Sequence, residues 1–215
     1  MNPTTPNQDP HLAQPVLQTG APLDRARAAM ILIHGRGASA NDILLLANEF
    51  QNPDYAYLAP QAANHTWYPN RFMEPLSTNE PWLSSALAFV GRILTHVEQA
   101  GIPPERTILL GFSQGACLTL EYTARHAQRY GGIVGLSGGL IGPELEPARY
   151  TGTFAGTPIF LGCSDHDPHI PKERVTASGH LLQQLGATVT VRLYPHLGHE
   201  VNQDEINFIK TIMQL

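Results

Sequence analysis

The sequence predicts an α/β protein with a mostly parallel central sheet and helices on both of its faces. Short, almost continuously apolar segments alternate with longer mixed ones along the chain, and this alternation is typical of parallel strands buried beneath crossover helices. With 215 residues, 42% hydrophobic and 14% charged, the chain is long enough for one domain with a substantial core. It leaves little room for a large cap domain.

The predicted elements follow one another in a simple order. They are a strand at 28–33, a helix at 39–50, a strand at 55–59, a helix at 80–100, a strand at 107–111, a helix at 114–130, strands at 132–137 and 158–163, a helix at 171–186, a strand at 188–194 and a helix at 200–213. Near-continuous apolar runs predict the strands. Right-handed crossovers should connect the parallel strands.

The first fifteen residues differ from the rest of the chain. Residues 1–15 are polar and rich in proline, so they are predicted to form a flexible tail, with a single domain over residues 16–215. They lack the apolar core of a signal peptide. No stretch approaches the roughly 20 apolar residues that span a bilayer, so we expect no stable membrane insertion and a cytoplasmic protein.

Charge and cysteine content exclude several function classes. The formal net charge is −5 and no run of basic residues occurs, so a nucleic-acid partner is not expected. The two cysteines, Cys117 and Cys163, make no disulfide framework and fit a reducing compartment. The segment from Asp165 to His169 holds ligand types that suit zinc, but alternate residues of a tight loop rarely converge on one ion. We therefore predict no metal site.

The most informative motif is the pentapeptide Gly111-Phe112-Ser113-Gln114-Gly115. It lies between a β-branched and aliphatic strand and a helix rich in Ala, Leu and Thr. A serine between glycines at a strand-to-helix turn is typical of an exposed catalytic nucleophile, because the glycines permit a sharp turn in which larger side chains would collide. Ser113 is therefore the predicted nucleophile.

A serine hydroxyl needs a base, and the base needs an acid to orient it. Asp165 and Asp167 follow the predicted strand at 158–163, and His196 and His199 follow the strand at 188–194. Residues just past the carboxyl ends of parallel strands meet at one edge of the sheet. Order along the chain leaves both aspartates and both histidines open.

The chain resembles the phospholipase/carboxylesterase family of α/β-hydrolases, which includes the acyl-protein thioesterases. The matching stretches extend from about residue 22 to near the C-terminus and include Leu32-Ile33-His34-Gly35-Arg36-Gly37, the Ser113 pentapeptide, Asp167-Pro168-His169-Ile170-Pro171 and Gly198-His199. The resemblance implies an α/β-hydrolase fold, with Asp167 as the acid and His199 as the base. Many relatives carry His-Gly where this chain has Cys163-Ser164, a departure that concerns the detail of the acid loop.

An oxyanion hole is also expected. The loop His34-Gly35-Arg36-Gly37 follows a buried strand and is of the glycine-bearing kind that lends a backbone amide to an oxyanion. The resemblance implies that Arg36 provides this amide, and the residue after the nucleophile, Gln114, provides the other. The Arg36 side chain is then free for another task, such as pairing with a carboxylate.

The predicted function is hydrolysis of carboxylic esters with small or medium acyl chains by a Ser-His-Asp acyl-enzyme mechanism, without a cofactor. The alternatives are a lysophospholipase, a thioesterase acting on acylated proteins or coenzyme A esters, and a non-catalytic binding protein of the same fold. Trp67, Tyr68 and Phe72 of the long loop at 61–81 are candidate substrate-binding residues, although they would equally serve to anchor the loop. Leu140, in the loop at 138–156, is a candidate within a hydrophobic flap or a plain surface connection. Exposed hydrophobic loops would be compatible with a homodimer.

Overall fold

A computed structural model describes residues 9–214 of the chain. Over these residues one seven-stranded sheet has the order β1-β3-β2-β4-β5-β6-β7. Its strands are β1 (Val16–Gly20), β2 (Ala28–Ile33), β3 (Tyr55–Pro60), β4 (Thr107–Phe112), β5 (Gly132–Leu136), β6 (Pro158–Ser164) and β7 (Thr188–Tyr194). All neighbouring strands are parallel except β1, which pairs antiparallel with β3. The predicted fold class is confirmed.

Six α-helices cover the two faces of the sheet within the described range. They are α1 (Ala40–Leu44), α2 (Ala47–Phe50), α3 (Trp82–Gln99), α4 (Gln114–Arg125), α5 (Lys172–Gln184) and α6 (Gln203–Ile212). Side chains alternate across each strand, so Ile31 of β2 belongs to one core cluster with residues of α3, α4 and α5, whereas Met30 belongs to a second with residues of α1, α2 and α6. The sheet is therefore buried on both faces, which explains its almost continuously apolar strands.

The strand Val16–Gly20 was not predicted. It is an edge strand with four exposed residues of five, so it lacks the buried alternation that marks a strand in the sequence. The predicted helix over 39–50 is interrupted at Leu45–Leu46. The predicted helix over 114–130 ends at Arg125, where the backbone of His126 leaves the helical region.

Part of the stretch at 9–15, assigned from the sequence to the flexible tail, is attached to the domain through His11. The side chain of His11 is completely buried, and its amide donates to Ser85 Oγ at 2.9 Å. Its Nδ1 accepts from the Ala63 amide at 3.1 Å, so Nε2 carries the proton and donates to the Trp67 carbonyl at 3.1 Å. Burial lowers the pKa of His11, which keeps this neutral form. The remainder of the predicted tail, residues 1–8, lies outside the described residues.

The carboxyl ends of the parallel strands meet at one edge of the sheet. The loops after β2, β4, β6 and β7 leave this edge and carry the predicted site residues Arg36, Ser113, Asp167 and His199. Across residues 9–214, no helix has the length and apolarity that a membrane span requires.

Candidate active site

Ser113 occupies a strained turn between β4 and α4. Its φ of 55° and ψ of −119° lie in a region that residues with a Cβ seldom adopt. The flanking glycines make the turn feasible, because a Cβ on Gly111 would collide with the backbone of Gly115, and one on Gly115 with the backbone of Ile33. The tight turn leaves the Ser113 hydroxyl at the carboxyl edge of the sheet.

Ser113, His199 and Asp167 form one hydrogen-bonded chain. His199 Nε2 lies 2.8 Å from Ser113 Oγ, and His199 Nδ1 lies 2.6 Å from Asp167 Oδ2. Because a carboxylate can only accept, Nδ1 carries the proton and Nε2 is left to accept from the serine hydroxyl. The Phe112 ring packs against the imidazole with 5.1 Å between centroids, which restricts its rotation.

Asp167 is ionised in spite of its burial. Its side chain is 0% exposed, and burial works to raise the pKa of the carboxyl. The hydrogen bond with His199 and the amides of His169 and Ile170, at 2.8 and 3.0 Å from Oδ1, outweigh burial, so the pKa of Asp167 lies below its ordinary value. The carboxylate can therefore orient His199 and stabilise its charged form.

The other aspartate and histidine lie apart from Ser113. Asp165 Oδ1 lies 2.8 Å from His166 Nδ1 and accepts from the amide of His196 at 3.2 Å. The His166 and His196 rings stack with 6.2 Å between centroids, towards solvent. In the part of the chain that the structure describes, no group of three His, Cys, Asp or Glu side chains is arranged to hold a metal ion.

The two amides predicted for the oxyanion hole are free to bind a ligand. Gln114 is the first residue of α4, so its amide has no acceptor within the helix. Across residues 9–214, neither its amide nor that of Arg36 donates a hydrogen bond. A Cβ added to Gly35 would lie 3.3 Å from Ser113 Cβ, which places the loop carrying Arg36 directly beside the serine.

A cavity of ≈ 690 Å³ opens over Ser113 and His199. Of the predicted substrate-binding residues, Tyr68 and Phe72 line it. Trp67 and Leu140 do not, and the structure places both in the core, where each is 0% exposed. Trp67 Nε1 donates to the His34 carbonyl at 2.8 Å, and the Leu140 amide donates to Ser178 Oγ at 2.9 Å.

The cavity also has a polar side that the sequence did not reveal. It is formed by Asn70, Arg71, Glu74 and Thr78 of the long loop and by His169, whose ring lies 4.9 Å from that of His199 between centroids. The polar residues that interrupt the aromatic run of this loop were the available signal. The suggested carboxylate partner of Arg36 was wrong, because its guanidinium binds backbone carbonyls instead.

The loop at 138–156 is held firmly to the body of the protein. The buried carboxylate of Glu121 accepts hydrogen bonds from the Ile141 amide, the Tyr150 hydroxyl and the Arg149 guanidinium. Arg174 donates to three carbonyls of the segment at 140–143. The structure therefore favours neither a flap nor a plain surface connection, because Leu140 and Ile141 are buried and the loop is held in place.

Comparisons with known proteins show the family to which the chain belongs. The family model described as Phospholipase/Carboxylesterase matches residues 15–215. The chain is 26% identical to acyl-protein thioesterase 1 of Debaryomyces hansenii over 226 residues, covering 93% of this chain and 97% of that protein. It is 28% identical to a probable carboxylesterase SOBER1-like of Arabidopsis thaliana over 204 residues, covering 86% and 78%.

A solved structure is similar over almost the whole fold. The crystal structure of a phospholipase/carboxylesterase from Dyadobacter fermentans superposes with a TM-score of 0.91 at 43% sequence identity, covering 94% of this chain and 97% of that one.

Proposed function

Because the chain belongs to the phospholipase/carboxylesterase family of α/β-hydrolases and is a carboxylic ester hydrolase, we propose that Ser113, His199 and Asp167 are its catalytic triad. The observation that carries the proposal is the unbroken chain of hydrogen bonds from Ser113 Oγ through His199 to Asp167, with contacts of 2.8 and 2.6 Å. Such a chain gives the serine a base and holds that base in the tautomer it needs.

Catalysis follows from these positions. His199 Nε2 takes the proton of Ser113 as Oγ attacks the ester carbonyl carbon, and Asp167 stabilises the imidazolium that forms. The tetrahedral intermediate then expels the alcohol, which receives the proton from His199. A water molecule, deprotonated by the same imidazole, attacks the acyl-serine and releases the carboxylic acid. No cofactor takes part in these steps.

The developing negative charge has a binding site. The free amides of Arg36 and Gln114 donate to the oxyanion, and the second of them lies at the N-terminus of α4, where the helix dipole favours negative charge. Loss of one such donor costs about 10²–10³-fold in turnover in comparable sites.

The substrate is a small-molecule ester with a small or medium acyl chain. A cavity of ≈ 690 Å³ lies within the ordinary range of small-ligand sites, and its apolar lining residues Pro69, Phe72 and Ile170 provide a surface for the acyl group. A second candidate, thioester hydrolysis, is favoured by the relative named acyl-protein thioesterase 1, because the same triad cleaves thioesters. A non-catalytic role is disfavoured, since all triad positions are filled.

Hydrolysis of p-nitrophenyl esters from acetate to palmitate, and of matching thioesters, tests the proposal. We expect turnover that peaks at short or medium chains and falls by several orders of magnitude in Ser113→Ala. A fluorophosphonate probe should label the protein and the surface control Ser84→Ala equally, and leave Ser113→Ala unlabelled. Turnover that survives in Ser113→Ala would exclude the mechanism. A peak at long chains or with thioesters would instead favour the second candidate.

A further inference from the structure

Two side chains from different elements hold one short segment of the cavity wall, residues 66–70, which we call the wall segment. Arg36, in the loop after β2, donates from Nη1 to the Pro69 carbonyl at 2.8 Å. Its Nη2 donates to the carbonyls of Tyr68 at 3.0 Å and Asn70 at 2.7 Å. The planar guanidinium thus holds three successive carbonyls, an arrangement that a lysine cannot reproduce.

Gln114, at the start of α4, holds the same segment through its side-chain amide. Its Nε2 donates to the Tyr68 carbonyl at 2.7 Å. Its Oε1 accepts from the Trp67 amide at 2.9 Å and from Thr66 Oγ1 at 3.3 Å. The side chain is only 6% exposed, so these hydrogen bonds are shielded from water. The Tyr68 carbonyl is the shared acceptor, and the next two residues, Pro69 and Asn70, are exposed and line the cavity.

Arg36 and Gln114 are also the two residues whose backbone amides are proposed to bind the oxyanion. Arg36 stands between Gly35 and Gly37, the latter with a φ of 78°, so its own backbone is weakly restrained by sterics. The hydrogen bonds of its side chain, and that of the Gly37 amide to the His65 carbonyl at 2.7 Å, supply the missing restraint. The loop that carries the Arg36 amide is therefore held through the wall segment, and the side chain of Gln114 joins the second amide to the same segment.

We propose that the side chains of Arg36 and Gln114 are positioning residues that couple the wall segment to the oxyanion hole. An acyl group seated against Pro69, which lines the cavity, bears on the wall segment, and through it on the two amides. The fit of the acyl group is thereby expressed in kcat rather than in KM. This inference rests on the proposed function of the site.

A second segment, which lies outside the cavity, serves as a comparison. The segment at 140–143 is held just as firmly, by Glu121 and Arg174. Neither Glu121 nor Arg174 lines the cavity. Both segments are thus held by side chain–backbone hydrogen bonds, but only the wall segment is held by the residues whose amides are proposed to bind the oxyanion.

The test replaces the side chain of each positioning residue while leaving its backbone amide in place. Arg36→Met and Gln114→Met should lower kcat by about 10- to 100-fold, as displacement of a reacting group by about 1 Å does, with KM changed little. Affinity for an alkyl trifluoromethyl ketone, whose adduct with the serine presents an oxyanion, should fall by the same factor. Arg36→Lys should recover only part of the loss.

Matched controls separate positioning from a general loss of hydrogen bonds. Arg129→Met removes a guanidinium that donates to the Ala155 carbonyl at 2.8 Å, and Gln18→Met removes an amide that donates to the Ala21 carbonyl at 3.2 Å. Both residues lie outside the cavity, so both variants should keep wild-type kcat and inhibitor affinity. Thermal unfolding of every variant would be measured alongside.

The outcomes distinguish this inference from the proposed function beneath it. The coupling is overturned if Arg36→Met keeps the wild-type kcat and inhibitor affinity, or if only its KM rises. The proposed triad would stand in either case. If Ser113→Ala retains activity, the triad itself fails. If Gln114→Met does not fold, the exposed Arg36 carries the test, because its replacement removes no buried group.

Discussion

Two aspartate–histidine pairs lie at the same edge of the sheet and differ in almost every physical respect. Asp165 directly follows β6, and its amide donates to the Tyr194 carbonyl of β7 at 3.0 Å. Its Oδ1 accepts from the amide of His196. Asp167 lies two residues further along the chain, and its Oδ2 is hydrogen-bonded to His199, which contacts Ser113. A shift of two residues past the strand end separates a quarter-exposed carboxylate from a completely buried one.

The pKa lies below its ordinary value in both Asp165 and Asp167, so a lowered pKa does not distinguish the two carboxylates. In Asp165 the hydrogen bond with His166 has the largest effect on the pKa, and the group faces solvent. In Asp167 burial raises the pKa, and only the hydrogen bonds from His199 and two amides overcome it. What distinguishes them is the connection to Ser113, together with the exclusion of water.

The largest expected difference is between the histidines. His199→Ala should lower kcat by about 10⁴-fold or more, because the base of a serine triad acts as a unit with its nucleophile. His196→Ala, the matched control in the exposed pair, should stay within about twofold, as surface substitutions do. Steady-state kinetics on a short-chain p-nitrophenyl ester measure both. A comparable loss in His196→Ala would reverse the assignment of the base.

The aspartates should differ by a smaller factor. Asp167→Asn should lower kcat by about 10³–10⁴-fold, because an amide in place of the carboxylate favours the wrong tautomer of His199. Asp165→Asn keeps the size of an exposed side chain and should leave kcat within about twofold. Equal losses in the two variants would mean that the acid loop acts as a whole, and that Asp167 has no special role.

Much of this comparison lay beyond the sequence. The apolar strands were predictable because burial on both faces leaves a continuous signal, whereas Val16–Gly20 was not, because an exposed edge strand leaves almost none. Ser113 could be identified from its turn. The choice of Asp167 over Asp165 came from the resemblance, since spacing along the chain does not show which side chain turns inward after a strand.

The loops were harder to interpret, and for a physical reason. An aromatic or aliphatic loop residue is apolar whether it faces the core, as Trp67 and Leu140 do, or the cavity, as Phe72 does. The Arg36 guanidinium binds backbone carbonyls. Because every residue has a backbone carbonyl, no sequence pattern indicates which residues Arg36 binds. Side chain–backbone hydrogen bonds of this kind become visible only in the fold.

A third carboxyl, Glu205, shows how burial shifts a pKa when hydrogen-bond donors do not outweigh it. It is 1% exposed, and burial raises its pKa from 4.5 to about 7, against the Asn202 amide, which donates to Oε2 at 2.9 Å. Because the pKa is raised in the folded state, the contribution of the neutral carboxyl to stability is fully present below about pH 4.5. It is lost as the pH rises through about 7.

Replacing Glu205 should therefore flatten the pH dependence of stability. Glu205→Gln keeps an acceptor for the Asn202 amide and cannot ionise, so above pH 7 it should unfold with a free energy about 1–3 kcal/mol higher than wild type. Below pH 4.5 the two proteins should be nearly equal. Urea unfolding at a series of pH values measures this, and a difference that is constant with pH would contradict the raised pKa.

The smallest expected effect concerns the thiol beside the buried pair. Cys163 Sγ lies 3.9 Å from Asp167 Oδ2, and burial, then the charge of Asp167, raises the pKa of the thiol to about 12, so it remains a donor at every working pH. Cys163→Ala removes this weak hydrogen bond and should lower kcat by about two- to fivefold, corresponding to a contribution of about 0.5–1 kcal/mol. Cys163→Ser restores a hydroxyl donor of similar size and should recover most of the loss, because a donor, and not the sulfur itself, supports the carboxylate. A Cys163→Ala enzyme with unchanged kcat and an unchanged pH–rate profile would show that His169, Ile170 and His199 hold Asp167 without assistance.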